Sequence, residues 1–259
     1  MTVVDTGTAR IAYDREGAGP PVILVGGAGQ LRAADPATRT LTTLLAARGF
    51  DVVHHDRPGR GDSGGEPPFT LAGEVAAIRT LVDVVGGRAA LYGSSSGGAI
   101  ALAAAAEIPG VTRLVLWEVP LGEELGTDGA AFLAEIRAVV ATGDREAMLR
   151  TFMADMPPEW FDGMRRGPQW PLFERMAPTV EADAEALAWT QSAPHAQLWG
   201  AITAPTVVLV GSSAFPFFHD AADAIVAALP DARRAEVPGA DHGWEPEAMA
   251  EVLATHLGG

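Results

Sequence analysis

Short apolar runs alternate with stretches of helical periodicity along most of the chain. Ile11–Tyr13 continues an early run after Thr8, and Pro21–Val25 is a continuous apolar run closed by Gly26-Gly27. Asp51–His55 leads into the turn Asp56-Arg57-Pro58-Gly59-Arg60-Gly61. Ala89–Tyr92 ends at Gly93, Val111–Trp117 at Glu118-Val119-Pro120, Thr206–Val210 at Gly211, and Ala235–Val237 at Pro238-Gly239. Apolar runs without polar alternation suit strands buried on both faces of a parallel sheet. Helical segments are predicted between them, near 37–48, 71–85, 96–107, 221–229 and 247–257. Regular strand–helix alternation predicts a doubly wound α/β sheet. In such a sheet the functional loops follow the C-terminal ends of the strands.

One stretch breaks the rhythm. Between about Gly122 and Gly200 no strand is evident, and Pro157-Pro158, Gly167-Pro168 and Pro171 punctuate several short helices. The expected organisation is a core of residues 1–120 and 201–259 with a helical cap, 121–200, inserted in it. Four of the six tryptophans, Trp160, Trp170, Trp189 and Trp199, fall in this insert. They serve either as packing for a small helical layer or as the wall of a pocket beneath it.

Composition narrows the function. With 18 basic and 33 acidic residues the net charge is −15, and every basic residue is Arg. A chain so acidic lacks the basic face that phosphate binding needs, so nucleic acid is not an expected partner. The absence of Cys removes disulfides, thiolate metal sites and thiol nucleophiles from consideration. The segment Met1–Gly17 has neither the basic nor the apolar region of a secretory signal. The longest Ala-rich run, Ala99–Ala106, is far short of the ~20 residues a bilayer needs. A soluble, cytoplasmic protein without a membrane partner is expected.

The chemistry centres on Gly93-Ser94-Ser95-Ser96-Gly97, which fits G-x-S-x-G. It follows an apolar run and precedes a helical one, the strand–turn–helix setting that holds a serine on a tight turn. Ser95 is the candidate nucleophile, and the N–H of Ser96 at the helix start can donate to an oxyanion. A serine hydroxyl needs a base. Of the six histidines, His242 follows the last predicted strand in Pro238-Gly239-Ala240-Asp241-His242-Gly243-Trp244, where it can fold back over the turn.

Taken together, these features resemble the α/β-hydrolase fold over nearly the whole chain. The likeness rests on Gly26-Gly27-Ala28-Gly29 after the Pro21–Val25 run, the turn Asp56–Ser63, the serine turn and the His242 loop. In this superfamily the first of these usually reads His-Gly; here Gly26 stands in place of the His. The resemblance implies a second main-chain oxyanion donor from Gly27 or Ala28 and a structural role for the Asp56–Ser63 turn. Gly26 and Ser94, beside those donors, are substrate-binding candidates.

The acid of the triad departs from the usual pattern. The superfamily places an Asp just after the Thr206–Val210 strand, but Gly211–Phe218 contains no carboxylate, and Asp220 is the first to follow. Glu118, at the end of the preceding strand, can reach the same histidine, an arrangement that certain haloalkane dehalogenases resemble. Glu118 is the expected acid, with Asp220 as the alternative. The serine turn, Glu118-Val119-Pro120, the Phe-rich loop and Trp170 together are similar to zearalenone lactonases. That resemblance implies a cap tryptophan, Trp170, in contact with substrate. The implied reaction is hydrolysis of a carboxylic ester or lactone of a neutral, fairly hydrophobic small molecule through an acyl-enzyme, with no metal or organic cofactor needed. The same triad also serves C–C bond hydrolysis, thioester hydrolysis and perhydrolysis, and a non-catalytic ligand-binding protein on this fold is the reading of a different class.

Overall fold

A computed structural model of the chain describes residues 1–122, 124–125 and 127–258. Nine strands and eleven α-helices are formed among the described residues. The strands are β1 (Thr2–Asp5), β2 (Arg10–Gly17), β3 (Pro21–Val25), β4 (Asp51–His55), β5 (Ala89–Ser94), β6 (Val111–Trp117), β7 (Thr206–Ser213), β8 (Ala232–Ala240) and β9 (Gly243–Trp244). They make one sheet in the order β1-β2-β4-β3-β5-β6-β7-β8-β9. The six central strands, β4 to β8, run parallel, and β1, β2 and β9 pair antiparallel at the edges. This is the α/β-hydrolase fold.

Strand periodicity divides the core. Ile23 and Val25 of β3 face one apolar layer together with Leu116 and Val208. Val22 and Leu24 face the other, together with Val115, Trp117 and Leu209. The first layer is covered by α2 (Leu71–Val84), α3 (Ser96–Glu107) and α10 (Pro216–Ala228). The second is covered by α1 (Pro36–Ala47) and α11 (Pro246–Leu257). Asp35 caps α1 by accepting from Thr38 N at 2.9 Å, and Thr70 caps α2 by accepting from Gly73 N at 3.1 Å.

The insert contains α4 (Asp128–Val140), α5 (Arg145–Phe152), α6 (Pro158–Arg166), α7 (Trp170–Met176), α8 (Val180–Thr190) and α9 (His195–Trp199). Ile136, Met148, Leu149, Phe152 and Phe161 form its own apolar cluster. Two of its elements belong equally to the core, since Ala186 of α8 and Trp199 of α9 are buried in the first core layer. No helix among the described residues is long and apolar enough to cross a membrane.

The structure revises three sequence expectations. Strand β8 runs on through Pro238-Gly239 to Ala240, because an edge beside a short hairpin tolerates a proline that a central strand would not. Helix α10 starts at Pro216, so Phe217 and Phe218 are helical and Asp220 lies inside the helix rather than opening it. The edge strands β1 and β9 were not anticipated, being too short to show a period.

His55, at the end of β4, is buried. Burial, with His54 and Arg57 close by, pushes its imidazole from the ordinary 6.5 down to about 3. The unfolded chain takes up this proton near the ordinary value, whereas the folded chain resists it until much lower pH. The contribution to stability is therefore full above the unfolded value and is lost as pH falls toward the folded one. Between about pH 7.5 and 5.5 the unfolding free energy in urea should fall by about 1 kcal/mol more in the unaltered protein than in His55→Leu. Parallel pH dependences would refute this.

Candidate active site

Ser95 stands between β5 and α3 with φ 55° and ψ −127°, a region costly for an L-residue. The neighbours hold it there. Ser95 N donates to Trp117 O of β6 at 2.8 Å, and Gly98 N donates back to Ser95 O at 2.8 Å. The turn closes tightly because Gly93 and Gly97 lack side chains. A Cβ on Gly93 would lie 2.6 Å from Gly98 Cα, and one on Gly97 would lie 2.5 Å from the carbonyl oxygens of both Val25 and Gly26. Ser96 is the first residue of α3, a position whose N–H has no partner within its helix.

His242 sits in a two-residue hairpin. Gly239 pairs with Trp244 and Ala240 with Gly243, leaving Asp241 and His242 at the corner with φ 52° and 64°. Two successive positive φ values match a type I′ turn, whose twist suits a tight hairpin. The ring of Phe218 lies flat on the imidazole, centroids 4.6 Å apart and planes 1° from parallel. Trp117 Nε1 donates to His242 O at 3.3 Å.

Glu118 follows β6 with φ 41° and is buried. Its Oε1 accepts from Gly211 N at 2.9 Å, and its Oε2 lies 2.5 Å from His242 Nδ1. Both oxygens are thus engaged, as a buried carboxylate requires. A carboxylate on Nδ1 selects the tautomer with its proton there and leaves Nε2 as the acceptor. Asp220, the alternative acid, is exposed on α10. The remaining histidines are His54 and His55 in β4, His195 stacked on Trp199, His219 on α10 and His256 beside Arg233.

The oxyanion candidates separate. Gly27 N already donates to Gln30 Oε1 at 2.5 Å, and Gln30 Nε2 is anchored on Asp35 Oδ2 at 2.8 Å. With the Gly27 N–H engaged, Ala28 is the better placed of the two main-chain donors. Gln30 had no sequence signal, since its role depends on the loop bending back over itself.

A cavity of about 540 Å³ lies between cap and core. Ser95 and His242 line it together with Phe132, Trp160, Phe215 and Phe217, and Asp155 is its one carboxylate among the described residues. Of the substrate-binding candidates, Trp170 lies outside this lining. It is half-buried at the start of α7, edge-on to Phe161 with centroids 6.0 Å apart, within the packing of the cap. Trp160, on α6, occupies the wall instead, tilted against Phe215 with centroids 6.1 Å apart. Gly26 and Ser94 are likewise not among the lining residues. Gly26 offers its carbonyl to Arg57 Nη1 at 3.2 Å, and Ser94 is buried as the last residue of β5. The signal for the aromatic wall was present in Phe215-Pro216-Phe217-Phe218, directly beyond a parallel strand.

Residues 22–255 match the alpha/beta hydrolase family, and the chain belongs to that family. An alpha/beta hydrolase from Sphaerobacter thermophilus is 31% identical with a TM-score of 0.85, the match covering 98% of this chain and 99% of that one. A hydrolase from Pseudomonas aeruginosa is 25% identical with a TM-score of 0.75, covering 100% and 98%. Part of the polyketide synthase ThaQ from Burkholderia thailandensis is 31% identical over 250 residues, covering 91% of this chain and 11% of that protein. The chain therefore spans only about a tenth of the length of this curated relative.

The tight approach at the serine turn generates a prediction. Gly97→Ala should lower the unfolding free energy by about 2 kcal/mol or more, because two fixed backbone oxygens occupy the space the methyl needs. Urea unfolding measures this, and a change below about 0.5 kcal/mol would show that the turn can relax.

Proposed function

We propose that the chain is a serine hydrolase that cleaves a carboxylic ester or lactone of a neutral, apolar substrate. The observation that carries this reading is the 2.5 Å contact between Glu118 Oε2 and His242 Nδ1, with His242 and Ser95 lining one cavity. Ser95 Oγ attacks the carbonyl as His242 Nε2 takes its proton, and Glu118 stabilises the imidazolium that forms. The N–H groups of Ser96 and Ala28 receive the oxyanion. His242 then protonates the leaving alkoxide, and water releases the acid from Ser95. The aromatic wall, which among the described residues carries no Arg, suits an uncharged acyl group. A macrolactone of the zearalenone type is the substrate that the sequence resemblance names within this class.

The likeness to part of a polyketide synthase favours a second reading, in which the same triad cleaves an acyl thioester. Matched oxygen and thiol esters of one acyl group separate the two readings by their kcat/KM ratio.

A fluorophosphonate should label the protein, and Ser95→Ala should abolish the labelling. Persistent labelling of that variant would move the nucleophile elsewhere. Glu118→Gln should lower kcat on an aryl ester by about 100-fold or more. Asp220→Asn should change it less than about twofold, its side chain being exposed on α10. The reverse ranking would transfer the acid to α10.

A further inference from the structure

Beneath the serine turn lies a cluster of charges with almost no access to solvent. Arg57 and Arg60, from the turn after β4, meet Asp183 of the cap helix α8 and Glu74 of α2. All four side chains are at most 2% exposed. Arg57 Nη1 donates to Asp183 Oδ1 at 2.6 Å and Arg57 Nη2 to Glu74 Oε1 at 2.9 Å, while Arg60 Nη2 donates to Asp183 Oδ2. Two cations face two anions, which is the condition for such a cluster to survive burial. Burial alone would raise the Asp183 carboxyl, but Arg57 and Arg60, with the Ser96 hydroxyl, outweigh it and hold the group below the ordinary carboxylate range.

The cluster touches both sides of the oxyanion pocket. Asp183 Oδ1 also accepts from Ser96 Oγ at 2.7 Å, and Ser96 is the residue whose N–H faces the reacting carbonyl in the proposed mechanism. The same two guanidiniums hold the opposite loop: Arg57 Nη1 donates to Gly26 O at 3.2 Å and Arg60 Nη1 to Gly27 O at 2.8 Å. Those carbonyls immediately precede the Ala28 donor. A hydrogen-bond donor for an oxyanion must be fixed before charge develops, because reorganising it during the reaction forfeits its value. A carboxylate bonded to one donor residue and to the cations that grip the other loop meets that need.

We propose that Asp183, although it belongs to the inserted cap, is a positioning residue for the oxyanion pocket and sets the spacing between the Ser96 and Ala28 donors through Ser96 Oγ, Arg57 and Arg60. The inference rests on Ser95 being the nucleophile. It assigns the cap a part in the chemistry itself, besides shaping the cavity.

The experiment compares Ser96→Ala, Asp183→Asn and Arg137→Ala with the unaltered protein, using p-nitrophenyl butyrate and fluorophosphonate labelling. Ser96→Ala deletes only the hydroxyl that links to Asp183, so it keeps the test open should Asp183→Asn fail to fold. Arg137→Ala loosens α8 at a distance, by removing the pairs with Glu181 at 3.0 Å and Glu185 at 3.3 Å. Ser96→Ala should lower kcat by about 10-fold, as loss of an orienting partner typically does. Its KM should stay within about twofold, as when an interaction made only in the transition state is lost. The pH profile should keep its acid limb, since His242 and Glu118 are untouched. Asp183→Asn, where folded, should show the same split, and Arg137→Ala should leave kcat unchanged. Wild-type kcat in Ser96→Ala overturns the inference, as does an equal loss in Arg137→Ala. If the unaltered protein takes no label, the nucleophile reading falls and this one with it. Labelling with an inert Ser96→Ala removes this inference alone.

Discussion

Ser95 is held with φ 55° and ψ −127°, a conformation that costs an ordinary residue about 1–3 kcal/mol, and the sheet around it is built so that this cost is borne. The turn is fastened to β6 through Trp117 O and wedged against the end of β3 through Gly97. The other non-glycine residues with positive φ among the described residues are Glu118, Asp241 and His242. Among the described residues, positive φ at non-glycine positions is thus confined to the proposed triad and the neighbour of its histidine. Each of these residues sits where a strand has just ended, so the ladder fixes the chain up to the strained residue and the side chain leaves at an angle a regular strand cannot give.

The choice of Glu118 follows from the same geometry. The end of β7 comes close enough for Gly211 N to bond Glu118 Oε1, while Oε2 faces the imidazole. The acid therefore ties β6, β7 and the β8–β9 hairpin together. Phe218 occupies the other face of the imidazole and fixes the plane of the ring, while the carboxylate fixes the ring's rotation within that plane. With the carboxylate that meets His242 supplied from the end of β6, the segment after β7 is free to be aromatic, and Phe215 and Phe217 use that freedom on the cavity wall.

The parallel strands, the helices flanking them and the Ser95 turn were legible because burial on both faces leaves uninterrupted apolar runs that end at glycine or proline. His242 and Glu118 were legible from chain order and from the missing carboxylate after β7. What escaped depends on contacts between distant segments. The corner at Asp241-His242 carries no Asn-Gly signal, so the hairpin is imposed by pairing of β8 with β9 rather than by turn residues. Trp160 and Trp170 are alike in sequence, each within two residues of a proline in a short helix, and only the packing of α6 against Phe215 decides which faces the cavity. Asp183 stands in an acidic, alanine-rich stretch with nothing in the sequence to set it apart from its neighbours. Its burial depends on two arginines more than 120 positions earlier in the chain.

The cap is held by two different kinds of force. Helix α8 is joined to the core by buried ion pairs and by apolar packing on the first core layer. Helices α5 and α6 share an apolar cluster, and their ionic links, Glu146 with Arg150 and Arg165, lie in water, where such pairs are screened and contribute little. The proposed oxyanion donors stand beside the first part, and Trp160 on the cavity wall belongs to the second. A change of residue in α6 can therefore reshape what the cavity accepts without disturbing the charges under Ser96. A change in α8 has no such freedom, because every polar atom of Asp183 is already committed to a buried partner and a replacement would leave at least one guanidinium without its counter-charge. In the proposed mechanism, selection of substrate and stabilisation of the oxyanion are in this way divided between two parts of the helical stretch that joins β6 to β7.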